Sequence, residues 1–100
     1  MKLIDLARVV RSKNAGPLHI TVDLMFSDEA AFSKASASPS LSVASVADLY
    51  RVKQESVQVI PFPAAYAIKV VMDRPIIAGT PGDRDAYGAQ QHKPLLGIEI

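Results

Sequence analysis

The chain has 100 residues, of which 49% are hydrophobic and 21% charged, with a formal net charge of +1 and no cysteine. This length fits one domain over residues 1–100, and the composition excludes an intrinsically disordered chain. The lack of cysteine excludes disulfide scaffolds, thiolate catalysis and iron–sulfur ligation, and the near-zero net charge argues against a nucleic-acid partner.

The N-terminal residues are not expected to form a signal peptide. Asp5 and Arg8 interrupt the apolar residues there before the hydrophobic region of a signal peptide could form. No apolar run in the sequence approaches the roughly 20 residues that a membrane-spanning helix needs. We therefore expect a cytoplasmic protein with no membrane partner.

The first quarter of the chain predicts two strands joined by a turn. Residues 3–10 are apolar enough for a strand, although their apolar positions also fit a helical stripe. The stretch RSKNAGP, residues 11–17, contains asparagine, glycine and proline in a row and predicts a turn. From residue 18 to residue 26, apolar and polar side chains alternate, which is the clearest strand pattern in the sequence.

Two helices are predicted in the middle of the chain. Ser27 is a suitable N-cap, and the acidic residues Asp28 and Glu29 open an alanine-rich segment that ends before Pro39. A second helix is predicted over residues 42–51, because its apolar residues recur at helical spacing. A short connector of small residues joins the two helices.

Three further strands are predicted, in the stretches ESVQVIPF, AYAIKVVMDRP and, at the C-terminus, LLGIEI. The order of elements favours an α+β fold, a two-layer sandwich with a mostly antiparallel sheet and two helices on one face. Among such folds, the ferredoxin-like architecture is the one that we expect.

The long segment between the last two predicted strands, residues 78–94, is the first candidate site. A segment of this length without regular structure is uncommon and is often functional. Asp83, Asp85 and His92 are candidate catalytic residues that could form an acid/base group or a hard-metal site, although their spacing matches no metal-ligand signature. The residues that would shape and orient the segment are Gly82, Tyr87, Gln90 and Gln91. The alternative is a hydrogen-bonded structural loop.

The predicted first turn is the second candidate, as an anion-binding site. Arg11 and Lys13 supply two cations and Ser12 supplies a hydroxyl, while backbone N–H groups near Asn14 and Gly16 could converge on a carboxylate or phosphate. The alternative is a solvated hairpin turn. If both candidate loops lie at the same end of the sheet, they would form a joint pocket.

Two other polar residues and the serines are assigned no site. We expect His19 to lie on the solvent side of its strand, and Lys69 to be an outward charge that reduces edge association. The serines between residues 33 and 45 have no partnered histidine nearby in the sequence and no nucleophile-elbow motif. A serine nucleophile is therefore not expected.

The stretches LARVVRSKNAGP, ITVDLMF and PGDRDAYGAQQHKPLLGIEI resemble a family of small bacterial and archaeal domains of unknown function. Members accompany, or are fused to the end of, acyclic terpene utilisation (AtuA-like) proteins. Those proteins have a small ferredoxin-like C-terminal domain that opens on an ARSGDKG-type turn. In this chain VRSKNAG matches that turn at Arg11, Ser12 and Gly16 and departs from it at Lys13 and Asn14. The resemblance implies a detached version of that domain, acting as a partner subunit of a larger AtuA-like catabolic protein.

Three hypotheses about function follow. The first is an accessory subunit that contributes the Arg11 and His92 loops to a shared site for an organic acid or acyl thioester. The second is a stand-alone lyase or isomerase with Asp83, Asp85 or His92 as its acid/base, and the third is a structural oligomerisation module. The small size also predicts a homo-oligomer, because a two-layer sheet with few charges on one face gains by pairing. The sequence indicates no particular cofactor.

Overall fold

A computed structural model of the protein describes residues 1–16, 18–73 and 93–100. The helices are Leu3–Leu6 (α1), Glu29–Ser36 (α2), Val43–Tyr50 (α3) and Lys93–Leu96 (α4). The strands are Val9–Asn14 (β1), His19–Met25 (β2), Gln58–Phe62 (β3) and Ala67–Asp73 (β4).

The four strands form one sheet in the order β1-β2-β4-β3, and every neighbouring pair is antiparallel. The predicted α+β class and antiparallel sheet are confirmed. The ferredoxin-like connectivity is not confirmed, because α2 and α3 follow one another between two β-hairpins. In a ferredoxin-like fold single helices separate the strands, in the order β-α-β-β-α-β.

The core lies between one face of the sheet and the helices. Ile20, Val22 and Leu24 of β2 are fully buried and pair in register with β4. They belong to one apolar cluster with residues from both long helices, namely Phe32, Ala35, Val46, Ala47 and Tyr50. The alternation predicted for residues 18–26 is therefore confirmed from Ile20 to Phe26, whereas Leu18 is exposed and precedes the strand. We name this side of the sheet the core face and the opposite side the outer face.

Short polar side chains start both long helices. The backbone N–H of Ala31 donates to Oδ1 of Asp28 at 2.8 Å, so Asp28 is the N-cap of α2 and the prediction of Ser27 is wrong by one residue. In α3 the backbone N–H of Ser45 donates to the hydroxyl of Ser42 at 3.2 Å. These bonds satisfy N–H groups that have no partner within the helix.

The prediction for residues 3–14 is wrong in two ways. Residues 3–6 form α1 rather than a strand, and the strand β1 then runs from Val9 to Asn14 through the predicted turn. β1 is an edge strand whose ladder pairs Val9 with Met25 at one end and Asn14 with Ile20 at the other. Because backbone groups make this ladder, polar side chains can occupy β1.

The predicted C-terminal strand is also wrong. Residues 93–96 form α4, in which Leu95 is fully buried. Beyond it, Glu99 makes an isolated β-bridge with Lys2, and the N–H of Leu3 donates to the carbonyl of Ile98 at 2.9 Å. The alternation in LLGIEI thus comes from a short helix followed by a single β-bridge. The pairing does not extend beyond Lys2 because the chain enters α1 at Leu3.

The buried phenol of Tyr50 predicts a loss of stability at high pH. Tyr50 is 6% exposed, and burial raises the pKa of its phenol above the ordinary value. The phenol ionises at about pH 10 in the unfolded chain and only at higher pH in the folded one, so the free energy of unfolding falls as pH rises above about 10. We expect Tyr50→Phe to make that fall shallower by up to about 1.4 kcal/mol per pH unit, measured by urea denaturation at each pH.

The matched control for this measurement is Tyr66→Phe, because the Tyr66 side chain is exposed. The control variant should keep the wild-type slope. An unchanged slope in Tyr50→Phe, or an equal change in both variants, would contradict the prediction.

Candidate functional site

The candidate site predicted between the last two predicted strands, residues 78–94, lies outside the described residues except for residues 93 and 94. This applies to its acid/base candidates Asp83, Asp85 and His92, and to its orienting residues. The orienting residues are Gly82, Tyr87, Gln90 and Gln91. Their assigned roles stay predictions.

The structure divides the predicted anion-binding residues between the two faces of the sheet. Arg11 and Lys13 pair with Asp23 and Thr21 on the outer face, and both side chains are exposed. Ser12 and Asn14 lie on the core face, where Ser12 is 8% exposed, and Gly16 lies in the hairpin turn with φ of +83°. The five residues therefore do not face one point: the two cations share the outer face, and Ser12 and Asn14 share the core face.

A row of charged side chains crosses the middle of the outer face. Nε of Arg11 lies 3.5 Å from Oδ2 of Asp23, whose side chain is 18% exposed. Lys69 pairs in register with Asp23 on the other side, and its Nζ lies 6.0 Å from the centre of the Phe62 ring. Lys69 does point outward as predicted, but β4 is a central strand, so the role in protecting a sheet edge is wrong.

At one end of the sheet, His19 and Asp73 form a pair that spans the two central strands. They are opposite each other in register, with Nε2 of His19 3.3 Å from Oδ1 of Asp73. Both side chains are about half exposed, at 52% and 55%. The pair lies in an open groove of about 510 Å³ lined by His19, Lys53, Glu55, Ser56, Gln58, Val71 and Asp73. We name this the His19 groove.

Ser56 holds the wall of the His19 groove in place. Its hydroxyl donates to the carbonyl of Lys53 at 2.9 Å and accepts from the backbone N–H of Asp73 at 3.5 Å. The Ser56 backbone N–H also donates to the Lys53 carbonyl, within a 3₁₀ turn over Gln54–Ser56. This turn lies between α3 and β3, and the Ser56 hydroxyl connects it to the backbone of Asp73 at the end of β4.

Comparison with protein families identifies one match. The model of a domain of unknown function, DUF4387, matches residues 3–99. The chain belongs to the DUF4387 family. No curated protein and no solved structure matches it. The match confirms the resemblance to a family of domains of unknown function and carries no information about a partner.

In this DUF4387 domain, the His19 groove offers the chemistry of a proton-transfer site. Histidine is the side chain that changes charge near neutral pH, and a neighbouring carboxylate orients its ring. Lys53 adds a cation and Glu55 a second carboxylate, and Ser56 and Gln58 add neutral hydrogen-bonding groups. Over residues 1–16, 18–73 and 93–100, no three or more His, Asp or Glu side chains are grouped as a metal site would need.

The sequence prediction placed His19 on the solvent side, and the DUF4387 structure confirms that position. Its pairing with Asp73 was missed because 54 positions separate the two residues, as their numbers show. The available signal was that each residue stands at the end of an alternating strand, on the polar side of its pattern. Strand register, which decides whether two such residues meet, was not readable from either segment.

The β1–β2 turn and the end of β4 lie at the same end of this DUF4387 sheet, because His19 pairs with Asp73 there. Arg11 is in the row of Asp23 and Lys69, four residues from that end along β4. At about 3.3 Å per residue, this row is roughly 13 Å from the His19 groove. Across the described part of the domain, no helix is long and apolar enough to cross a membrane.

Proposed function

We propose that this DUF4387 domain is an accessory subunit of an AtuA-like catabolic protein and contributes the His19 groove to a shared site. The ligand of that site would be an organic acid or an acyl thioester. The observation that supports this proposal is the half-exposed His19–Asp73 pair in an open groove at the end of the sheet.

An open groove favours a shared site over a self-contained one. Ligand sites usually bury most of the ligand surface, and charged groups act more strongly once water is excluded. Half-exposed side chains such as His19 and Asp73 remain hydrated and screened by salt. A second protein surface placed over the groove would enclose the ligand and strengthen each of its contacts.

The groups in the groove suit a carboxylate or a thioester carbonyl. Lys53 and His19 can donate to a ligand oxygen, and the Asp73 carboxylate, 3.3 Å from the His19 ring, can orient that ring. His19 could then donate or accept a proton at the reacting carbon or oxygen. Arg11 would contact the same ligand only if the ligand were a long molecule, because the row of Arg11 is about 13 Å from the groove.

Co-purification tests the accessory role. A tagged AtuA-like protein is co-expressed with this domain, and the complex is isolated and analysed by size-exclusion chromatography. We expect the two chains to co-elute in a fixed ratio. Separate elution at all ratios would contradict the accessory role, while turnover by the isolated domain would favour the stand-alone enzyme.

Ligand binding to the complex tests the groove itself. Acetate and acetyl-coenzyme A are the simplest members of the two proposed ligand classes, and binding is measured by calorimetry. We expect His19→Ala to weaken binding of one of them by about tenfold, the equivalent of one charge-assisted hydrogen bond. Lys34→Ala, a change at an exposed lysine of α2, is the control and should bind as wild type. Unchanged affinity in His19→Ala would rule out the groove as the ligand site.

A further inference from the structure

The outer face of the sheet has the charge pattern of a self-complementary interface. We propose that two copies of the chain pack outer face to outer face, around a twofold axis that runs along the strands between β2 and β4. This proposal is independent of the accessory role. It identifies which surface would form the homo-oligomer and which partner that surface fits.

The charges on the two central strands carry the inference. Asp23 on β2 and Lys69 on β4 are opposite each other in register near the middle of the face. A twofold axis between these strands exchanges β2 with β4, so Asp23 of one copy faces Lys69 of the other, and the reverse. In packed sheets the strand directions of the two sheets differ by about 30°. Because Asp23 and Lys69 are close to the axis, this rotation displaces them from their facing partners by only about 2 Å.

The rest of the face provides apolar contact around these charges. The outer-face residues of the two central strands and of β3 include Met25, Ala67, Val71 and Ile60, all partly buried. Thr21, near the centre, is 9% exposed, and Phe62 at the rim is 45% exposed. Aromatic and methionine side chains are the ones enriched in protein interfaces.

The size of the face sets the expected strength of the dimer. Four strands at about 4.8 Å spacing and seven residues at about 3.3 Å give roughly 440 Å² per copy, or about 900 Å² for both. This estimate lies near the lower limit of about 1,000 Å² for specific interfaces. We therefore expect a weak, reversible dimer with a dissociation constant on the order of micromolar to tens of micromolar.

The twofold arrangement would also bring the two His19 grooves to the same end of the dimer. The axis is parallel to the strands, so it keeps each row of the sheet at its own height. The His19–Asp73 pairs lie in the row at one end. A dimer would therefore present two adjacent grooves, and each would lie beside a second copy of the same chain.

Complementary charge reversal tests this arrangement. Asp23→Lys and Lys69→Asp are prepared as separate chains, and sedimentation velocity is measured from about 0.5 to 300 µM, a range that brackets the expected dissociation constant. Each variant alone places like charges opposite each other across the interface, so we expect at least a tenfold weaker dimer. An equimolar mixture restores opposite charges at both contacts and should form a heterodimer of wild-type affinity.

The mixture separates the interface from effects within one chain. Asp23 and Lys69 also neighbour each other in the same sheet, and mixing two chains cannot repair that neighbour contact. Asp48→Lys and Lys34→Asp make the same charge changes at exposed helix positions and should dimerise as wild type. If a reversed chain does not fold, Ile60→Lys, which would face Arg11 of the second copy, replaces it and should also weaken the dimer.

Three results would overturn the proposal. The first is a wild-type chain that stays monomeric over the whole concentration range. In that case the partner of the outer face would be an acidic surface of another protein. The second is a dimer that both charge reversals leave intact. The third is a mixture of the reversed chains that stays monomeric while wild type dimerises. None of these results bears on co-elution with the AtuA-like protein, so the two proposals fail separately.

Discussion

Leu24→Ala is expected to lower the free energy of unfolding by about 2–5 kcal/mol. Leu24, near the C-terminal end of β2, is fully buried and is paired with Val10 on one side and Ile68 on the other. Removing most of its side chain leaves a cavity where the sheet meets the helices, and neighbours on three elements would have to move to fill it. The loss is measured by urea denaturation, with the slope of the transition checked for a change in two-state behaviour.

Leu18→Ala is the matched control, because it removes the same atoms from a leucine that is 50% exposed. Leu18 lies directly before β2. We expect a change of about 0.5 kcal/mol or less. Since domains of this size are stable by only about 5–15 kcal/mol, the buried variant could be partly unfolded at physiological temperature. Equal losses from the two variants would mean that Leu24 is not in the core.

Leu95→Ala is expected to cost a similar amount, about 2–5 kcal/mol, and to release the two ends of the chain. Leu95 of α4 is fully buried in the same cluster as Leu3 of α1, and the two short helices contact each other. Neither four-residue helix is stable alone, since isolated helices of this length do not form in water. We therefore expect faster hydrogen exchange at the Leu3 amide, which donates to the Ile98 carbonyl.

Leu96→Ala is the control for this experiment, because Leu96 is the neighbour of Leu95 in α4 and its side chain is only partly buried. It should cost about 1 kcal/mol and leave the Leu3 amide protected. If the two alanine variants lose stability equally, or if Leu3 exchange does not change in Leu95→Ala, then the packing of the ends described above is incorrect.

The elements that the sequence predicted well are those with a repeated pattern and a chemical boundary. The alternation before Phe26 identified β2 and its buried side, and Ser42 with the following apolar stripe identified α3. In both segments the secondary-structure preference of the residues agrees with the pattern of buried side chains, so a short stretch of sequence is enough to predict the element. The strands β3 and β4 were found for the same reason, with prolines marking where β3 ends.

The elements that the sequence predicted badly depend on a distant partner. β1 is polar over Arg11–Asn14 and becomes a strand because β2 supplies a ladder for each of its residues. The His19 groove depends on the register between β2 and β4 and on a turn at Ser56. No local pattern encodes either condition, so the sequence located the cations of the outer face and missed the pair in the groove.

The pairing of β2 with β4 also has a consequence for how the chain folds. Each hairpin joins strands that are close in sequence, whereas the central ladder joins residues from 42 positions apart (Met25 with Ala67) to 54 positions apart (His19 with Asp73). Closing such a loop costs entropy before any contact repays it, so non-local pairing of this kind slows folding. We expect the two hairpins and the helices to form early and the central seam to close last. The seam carries both the Asp23–Lys69 charges and the His19–Asp73 pair, so the last step of folding would also assemble the two surfaces proposed to bind partners.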